Sequence, residues 1–114
     1  MSISNNHINY IEFKAINIIE IKAFYNKVFG WRFKDYGPNY TAFSECGLEG
    51  GFEHTEAPIV NGALIVLYHE NLEIILKKVS ENNGTITKPI FSFPGGKRFH
   101  FKDPSGNELA IWSE

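Results

Sequence analysis

The sequence has a single cysteine, Cys46, so an intrachain disulfide is excluded. Its 11 basic and 13 acidic residues are spread along the chain, and no basic cluster predicts a nucleic-acid surface. No apolar run approaches the roughly 20 residues that cross a membrane, and residues 1–7 show neither a basic start nor an apolar signal core. We therefore expect a cytoplasmic protein that has no nucleic-acid or membrane partner.

Apolar residues, by contrast, are plentiful. They make up 43% of the 114 residues and include ten phenylalanines. A chain of this length and composition can bury a core without a disulfide or a structural metal. One domain spanning residues 1–114 is predicted.

Apolar and polar residues alternate on both sides of a turn at residues 103–107, which contains Pro104 and Gly106. The pattern predicts a hairpin. If Lys102 lies opposite Glu108, the next pairs are Phe101 with Leu109, His100 with Ala110, and Phe99 with Ile111.

This register gives the hairpin two different faces. One is wholly apolar and should pack under helices; it holds Phe99, Phe101, Leu109 and Ile111. The other is the functional candidate; it holds Arg98, His100, Lys102, Glu108, Ala110 and Trp112.

Helix signals recur with an offset of 54 residues. Asn17 predicts the N-cap of a helix that ends at Gly30, and Asn71 predicts the N-cap of a helix that ends at Asn83-Gly84. The strands expected in the first half are 9–14, 31–36, 40–45 and 48–54, the last weakened by two glycines. Those expected in the second half are 63–68, 84–88, 98–102 and 107–113. A duplicated β-α-β-β-β unit is predicted.

Two motifs carry a resemblance to a known family. The hairpin turn Asp103-Pro104-x-Gly106-Asn107 and the helix end Phe24-Tyr25-x-x-Val28-Phe29-Gly30-Trp31 resemble those of the vicinal oxygen chelate superfamily, which includes glyoxalase I, bleomycin-resistance proteins and extradiol dioxygenases. The resemblance implies an α+β fold of tandem β-α-β-β-β modules, about 8–55 and 61–114. Their strands would curve around a cleft, with the helices outside.

Metal-dependent members of that superfamily hold the ion at about four equivalent places. These fall on Tyr10, roughly Gly51, Leu64 and Ala110 in this chain, and none of these is a usual ligand. We therefore predict no metal site and no cofactor. A relocated set of His100, Glu12 and Glu108 is the alternative.

The remaining histidines and the cysteine are expected to have no catalytic or ligand-binding role. His54 and His69 are expected at solvated strand ends, and Cys46 has no histidine at a spacing typical of a nucleophile. Residues 93–98 contain two adjacent glycines and two basic residues, but a strand rather than a helix follows, so we expect a mobile loop at the mouth of the cleft. Arg98 could there meet an acidic ligand.

Pleat parity also places the first-strand residues Tyr10 and Glu12 on the cleft side. The predicted substrate-binding residues are Tyr10, Glu12, His100, Ala110 and Trp112, which should line one cavity.

Three functional classes stay open. The favoured one is a protein that binds a small apolar or aromatic molecule in the cleft without the usual metal. The second is an enzyme resembling lactoylglutathione lyase, a lyase or isomerase that acts on an activated carbonyl compound with a metal or with Glu12 and His100 as acid and base. The third is a structural or protein-interaction domain. We also expect a homodimer, because a module pair with a weak, glycine-broken strand at 48–54 needs its sheet edges covered, and because members of the resembled superfamily commonly pair. The cleft forms either within one chain or across a swapped dimer.

Overall fold

A computed structural model describes residues 4–114 and contains two helices and eight strands. The elements are, in chain order, β1 (Tyr10–Ala15), α1 (Ile18–Phe29), β2 (Arg32–Asp35), β3 (Tyr40–Ser44), β4 (Glu49–His54), β5 (Ile65–Tyr68), α2 (Leu72–Glu81), β6 (Thr85–Phe93), β7 (Gly96–Lys102) and β8 (Glu108–Ser113). This confirms the duplicated β-α-β-β-β order and the α+β class.

Both helices begin at the predicted asparagines. The Asn17 side chain accepts a hydrogen bond from the Glu20 amide at 3.0 Å, and the Asn71 side chain accepts one from the Ile74 amide at 3.1 Å. Gly30 ends α1 with a φ of 76°, a left-handed conformation that glycine adopts without strain. The 54-residue offset therefore corresponds to two equivalent helix starts.

Each half of the chain forms its own four-stranded sheet. The first sheet has the order β1-β4-β3-β2 and the second has the order β5-β8-β7-β6. Within each sheet the first and last strands of the half pair in parallel, β1 with β4 and β5 with β8. The glycine-containing strand β4 lies between β1 and β3, so it is not itself a sheet edge; β1 and β2 are the edges of the first sheet.

The predicted hairpin register is confirmed. Lys102 pairs with Glu108, and the pairing continues through Phe101–Leu109, His100–Ala110 and Phe99–Ile111. All four residues of the apolar face are completely buried. Burying four such side chains contributes roughly 1.5–3 kcal/mol each relative to leaving them exposed, which fixes the register against a one-residue slip.

The segment expected to be a mobile loop is instead part of a hairpin. Strand β6 runs to Phe93, which pairs with Gly96, so that only Pro94 and Gly95 form the turn. Gly95 has a φ of 115°, which suits glycine. The prediction failed because the glycines mark a two-residue turn rather than a long loop, and Arg98 consequently stands within strand β7.

Helix α1 packs against both sheets. Its Phe24 ring lies 6.1 Å from the Phe101 ring of the second sheet, and its Tyr25 ring lies 5.2 Å from the Phe52 ring of the first. The apolar faces of both sheets therefore belong to one buried cluster. Within residues 4–114, no helix is long and apolar enough to cross a membrane.

Candidate functional site

The candidate site lies on the sheet faces opposite the shared core. We call them the first polar face, with Tyr10, Glu12, Lys14, Tyr40 and Gly51, and the second polar face, with Val66, Tyr68, Phe91, Phe93, Arg98, His100, Glu108, Ala110 and Trp112. Their membership follows from strand pairing, because residues directly opposite on neighbouring strands share a face.

Two tyrosines dominate the first polar face. The Tyr10 and Tyr40 hydroxyls hydrogen-bond to each other across the sheet. The Tyr40 ring lies over Gly51, where a Cβ atom would approach its ring carbon Cζ to 2.7 Å. Partial burial and, after it, the bond to Tyr10 raise the pKa of Tyr40 well above its usual range, so the Tyr40 hydroxyl is neutral at physiological pH.

The charged neighbour of Glu12 is a lysine, Lys14, and not a histidine. The Lys14 ammonium lies 3.8 Å from the Glu12 carboxylate and hydrogen-bonds to Glu53 on the neighbouring strand. The bond to Glu53 raises the pKa of Lys14. All three side chains are about half exposed, so the cluster is a solvated charge network.

His100 is the most buried titratable side chain of the second polar face. It is 7% exposed, and its Nδ1 lies 3.5 Å from a Glu108 carboxylate oxygen. That same oxygen accepts a 3.2 Å hydrogen bond from the Thr87 hydroxyl. The remaining ring nitrogen, His100 Nε2, is buried without a hydrogen-bond partner.

Arg98 lies two residues before His100 on the same face of β7. Its guanidinium carbon is 5.4 Å from the Phe91 ring centre and 5.5 Å from the Phe93 ring centre. Arg98 Nε is likewise buried without a partner, and among residues 4–114 no acidic side chain lies within 4.0 Å of Arg98. Sequence reasoning missed Phe91 and Phe93, although their alternation with Ser92 before the turn was the available signal.

The other side of this face is aromatic. Tyr68 and Trp112 pair across β5 and β8, with ring centres 5.2 Å apart in an edge-to-face arrangement. Tyr68 is 51% exposed and Trp112 is half-buried, whereas Ala110 beside them is fully buried. A partly exposed aromatic pair thus shares a sheet face with the two nitrogens that lack partners.

In this chain, four positions correspond to those where metal-dependent members of the vicinal oxygen chelate superfamily bind their ion. The residues at these positions do not form a metal site. Gly51 is covered by Tyr40, the Tyr10 hydroxyl is bonded to Tyr40, and Leu64 and Ala110 supply no donor atom. Nor do residues 4–114 bring three His, Cys, Asp or Glu side chains together elsewhere. His100 and Glu108 are near neighbours on the second sheet, whereas Glu12 lies beside Lys14 on the first.

A cavity of about 860 Å³ lies where the two modules meet, and Val66 and Tyr68 of the second polar face are part of its wall. Its wall includes Phe13, Trp31, Cys46 and Ile65, and none of the five predicted substrate-binding residues is part of it. The grouping of those five residues in one cavity therefore stays a prediction.

The remaining candidates have ordinary local roles. His69 Nδ1 accepts a hydrogen bond from the Asn71 amide, which helps to start α2, and His54 is 3.9 Å from the exposed Glu56. Cys46 Sγ donates to the Leu48 carbonyl, and partial burial raises the pKa of its thiol, which disfavours the reactive thiolate.

Solved structures of other proteins share this fold. A glyoxalase/bleomycin resistance protein/dioxygenase family enzyme from Burkholderia phytofirmans PsJN superposes with a TM-score of 0.81 at 16% identity, over 92% of this chain and 96% of that chain. A lactoylglutathione lyase from Agrobacterium tumefaciens gives 0.71 at 13% identity, over 95% and 93% of the two chains.

A bleomycin-binding protein from Streptomyces verticillus, solved with copper(II)-bleomycin, gives a TM-score of 0.70 at 13% identity, over 97% of this chain and 99% of that chain. These likenesses concern the fold. A search of curated proteins finds no match. The family model for the glyoxalase/bleomycin resistance protein/dioxygenase superfamily matches residues 7–111, and the chain belongs to this superfamily.

Proposed function

We propose that the protein binds a small, largely apolar or aromatic molecule on its second polar face without a metal at the usual superfamily position. The observation that supports this proposal most directly is the Tyr68–Trp112 pair, which lies on the same sheet face as the buried His100. Aromatic walls with few polar anchors are typical of small-molecule sites, because flat apolar area supplies affinity and a few hydrogen bonds fix orientation.

The bleomycin-binding relative supports binding without chemistry, since a protein of this fold binds an organic compound. The lactoylglutathione lyase relative raises the alternative of an isomerase or lyase. No arrangement on either polar face favours that alternative, because Tyr40 occupies the space above Gly51 and Glu12 is paired with Lys14.

A second copy of the chain would complete the site. The two polar faces both point away from the shared core, so we propose that the first polar face of one copy meets the second polar face of another. Tyr10, Val66 and Tyr68 support this pairing: they are 45%, 43% and 51% exposed on β1 and β5, which are edge strands. Edge strands with exposed apolar residues are prone to pair with another chain.

The binding proposal can be tested with prodan, a neutral naphthalene fluorophore that brightens in apolar surroundings. Trp112→Ala should weaken prodan binding roughly 10-fold, because a large contact surface is lost. Ile19→Ala removes an apolar residue that is 78% exposed on α1 and should leave binding unchanged. Equal binding by wild type and the Trp112 variant would refute a site on the second polar face.

A further inference from the structure

Two nitrogens stand out on the second polar face. Arg98 Nε and His100 Nε2 are the two side-chain nitrogen or oxygen atoms within residues 4–114 that are buried and lack a hydrogen-bond partner. Buried polar groups usually have partners, because a buried donor that loses its hydrogen bond to water and gains none in return destabilises the fold. Both belong to the same face of the same strand, which concentrates the unmet hydrogen bonding in one place.

Neighbouring carboxylates do not satisfy this pair. Glu108 accepts from Thr87 and lies beside His100 Nδ1, on the opposite side of the imidazole from Nε2. Glu114, at the other end of the face, accepts a 3.2 Å hydrogen bond from the Tyr68 hydroxyl. Lys88 adds a further cation 5.5 Å from the Phe91 ring centre, so two cations, Lys88 and Arg98, lie near this ring.

The setting of Arg98 suits an anion. Its guanidinium lies near two phenylalanine rings, and such packing shields the guanidinium faces from water while leaving the edge nitrogens to donate. A planar carboxylate matches that edge with two parallel hydrogen bonds. His100 Nε2 is placed to donate a hydrogen bond to an acidic oxygen, while Glu108 lies beside the other ring nitrogen, Nδ1.

We infer that the ligand carries an acidic group which binds Arg98 and His100, while its flat apolar body lies against Trp112 and Tyr68. The ligand class is therefore an aryl carboxylate or a similar aromatic acid rather than a neutral aromatic compound. Arg98 pairs directly with Trp112 across β7 and β8, so anchor and aromatic wall are adjacent. This inference rests on the proposed function and narrows its ligand.

Isothermal titration with 2-naphthoate and 2-naphthamide tests the inference, because the two probes share their ring system and differ in charge. Wild type should bind the carboxylate about 10-fold or more tightly than the amide, as expected for charge-assisted hydrogen bonds. Arg98→Gln should bring the ratio close to one while amide binding persists, and His100→Gln should lower the ratio by a smaller factor. Lys102→Gln removes the same charge from an exposed position on the same face of β7 and should keep the ratio.

The possible failures are distinct. Equal binding of both probes by wild type would overturn the acidic-group inference but leave the proposed function standing, and this comparison requires no variant to fold. A preference that survives Arg98→Gln would place the anion elsewhere and would also overturn it. If neither probe binds wild type, the proposed function fails together with the inference.

Discussion

The Tyr25 hydroxyl donates a 2.8 Å hydrogen bond to Asp103 Oδ2 and so joins helix α1 to the turn between β7 and β8. The other Asp103 oxygen accepts 3.0 Å hydrogen bonds from the amides of Ser105, Gly106 and Asn107. The family turn is therefore a structural lock between the two modules. It connects a helix tyrosine with a turn aspartate that lies 78 residues further along the sequence.

Tyr25→Phe should reduce the free energy of unfolding by about 1–3 kcal/mol, because a buried carboxylate loses a donor while the ring packing is kept. Urea denaturation followed by circular dichroism measures the change. Tyr36→Phe, at a 59% exposed position, is the matched control and should have little effect. A Tyr25 variant as stable as wild type would show that the hydroxyl contributes nothing to the lock.

The same bond should be visible in the titration of Asp103. Burial raises the pKa of this carboxyl above its usual value of 3.8, and the bond from Tyr25 opposes the rise. The folded state thus binds this proton more tightly than the unfolded state, so the contribution of Asp103 to stability falls as pH increases between 3.8 and the folded pKa. Carbon-detected NMR should find a raised pKa in wild type and a higher one in Tyr25→Phe; an unchanged pKa in the variant would contradict this account.

The sequence alone predicted the structure correctly where a local pattern is compatible with only one arrangement of the chain. The helix caps Asn17 and Asn71 are local, and the alternation around Asp103 left a single register that buries Phe99 and Phe101. It was insufficient where partners come from distant segments. Nothing local in Gly50-Gly51 reveals that β4 lies inside a sheet, because its neighbours β1 and β3 are selected only by the complete fold.

The same distinction applies to the candidate site. The alternation of apolar and polar residues along β7 and β8 correctly predicted that His100 lies opposite Ala110. The contacts of His100 with Glu108 and of Arg98 with Phe91 depend on side-chain conformation and on the irregular register of β6, which shifts twice between Ile86 and Phe91. Such contacts cannot be obtained from alternation alone.

Gly51 should be intolerant of a side chain. A methyl group there would lie 2.7 Å from the Thr41 carbonyl oxygen and against the Tyr40 ring, so Gly51→Ala should cost about 1–3 kcal/mol through overpacking. Gly62→Ala, where no atom lies within 4 Å, should change stability by less than about 0.5 kcal/mol. Thermal unfolding of both variants compares them; equal melting temperatures would mean that the Tyr40 side chain and the Thr41 backbone both move aside freely.

The two faces of the hairpin should separate stability from binding. Phe101→Ala removes a fully buried ring that contacts α1 and should cost about 3–5 kcal/mol of unfolding free energy. Trp112→Ala should leave the protein folded and reduce binding of prodan. Urea denaturation and fluorescence titration on the same preparations test this division. A Trp112 variant that unfolds as readily as the Phe101 variant would place Trp112 in the core instead.

The donor chemistry of the polar faces leads us to expect no stoichiometric transition metal or zinc. Elemental analysis after purification without chelator or affinity metal measures the content directly. About one metal per chain, lost in His100→Ala or in Glu12→Gln, would contradict this expectation and would establish a relocated site. Retention of that metal in both variants would place it elsewhere in the chain.

The proposed homodimer makes the last prediction. Val66 is 43% exposed on edge strand β5, so Val66→Lys would place a charge where a second copy is expected to pack, and burying that charge unpaired is costly. Wild type should sediment at twice the 13.0 kDa chain mass, and the variant should shift towards a single chain. Ile19→Lys, at a 78% exposed position on α1, adds the same charge and should stay dimeric.

Because each site is proposed to use faces from two copies, the Val66 variant should also lose prodan binding. A folded, monomeric variant that binds prodan as well as wild type would show that one chain holds the complete site.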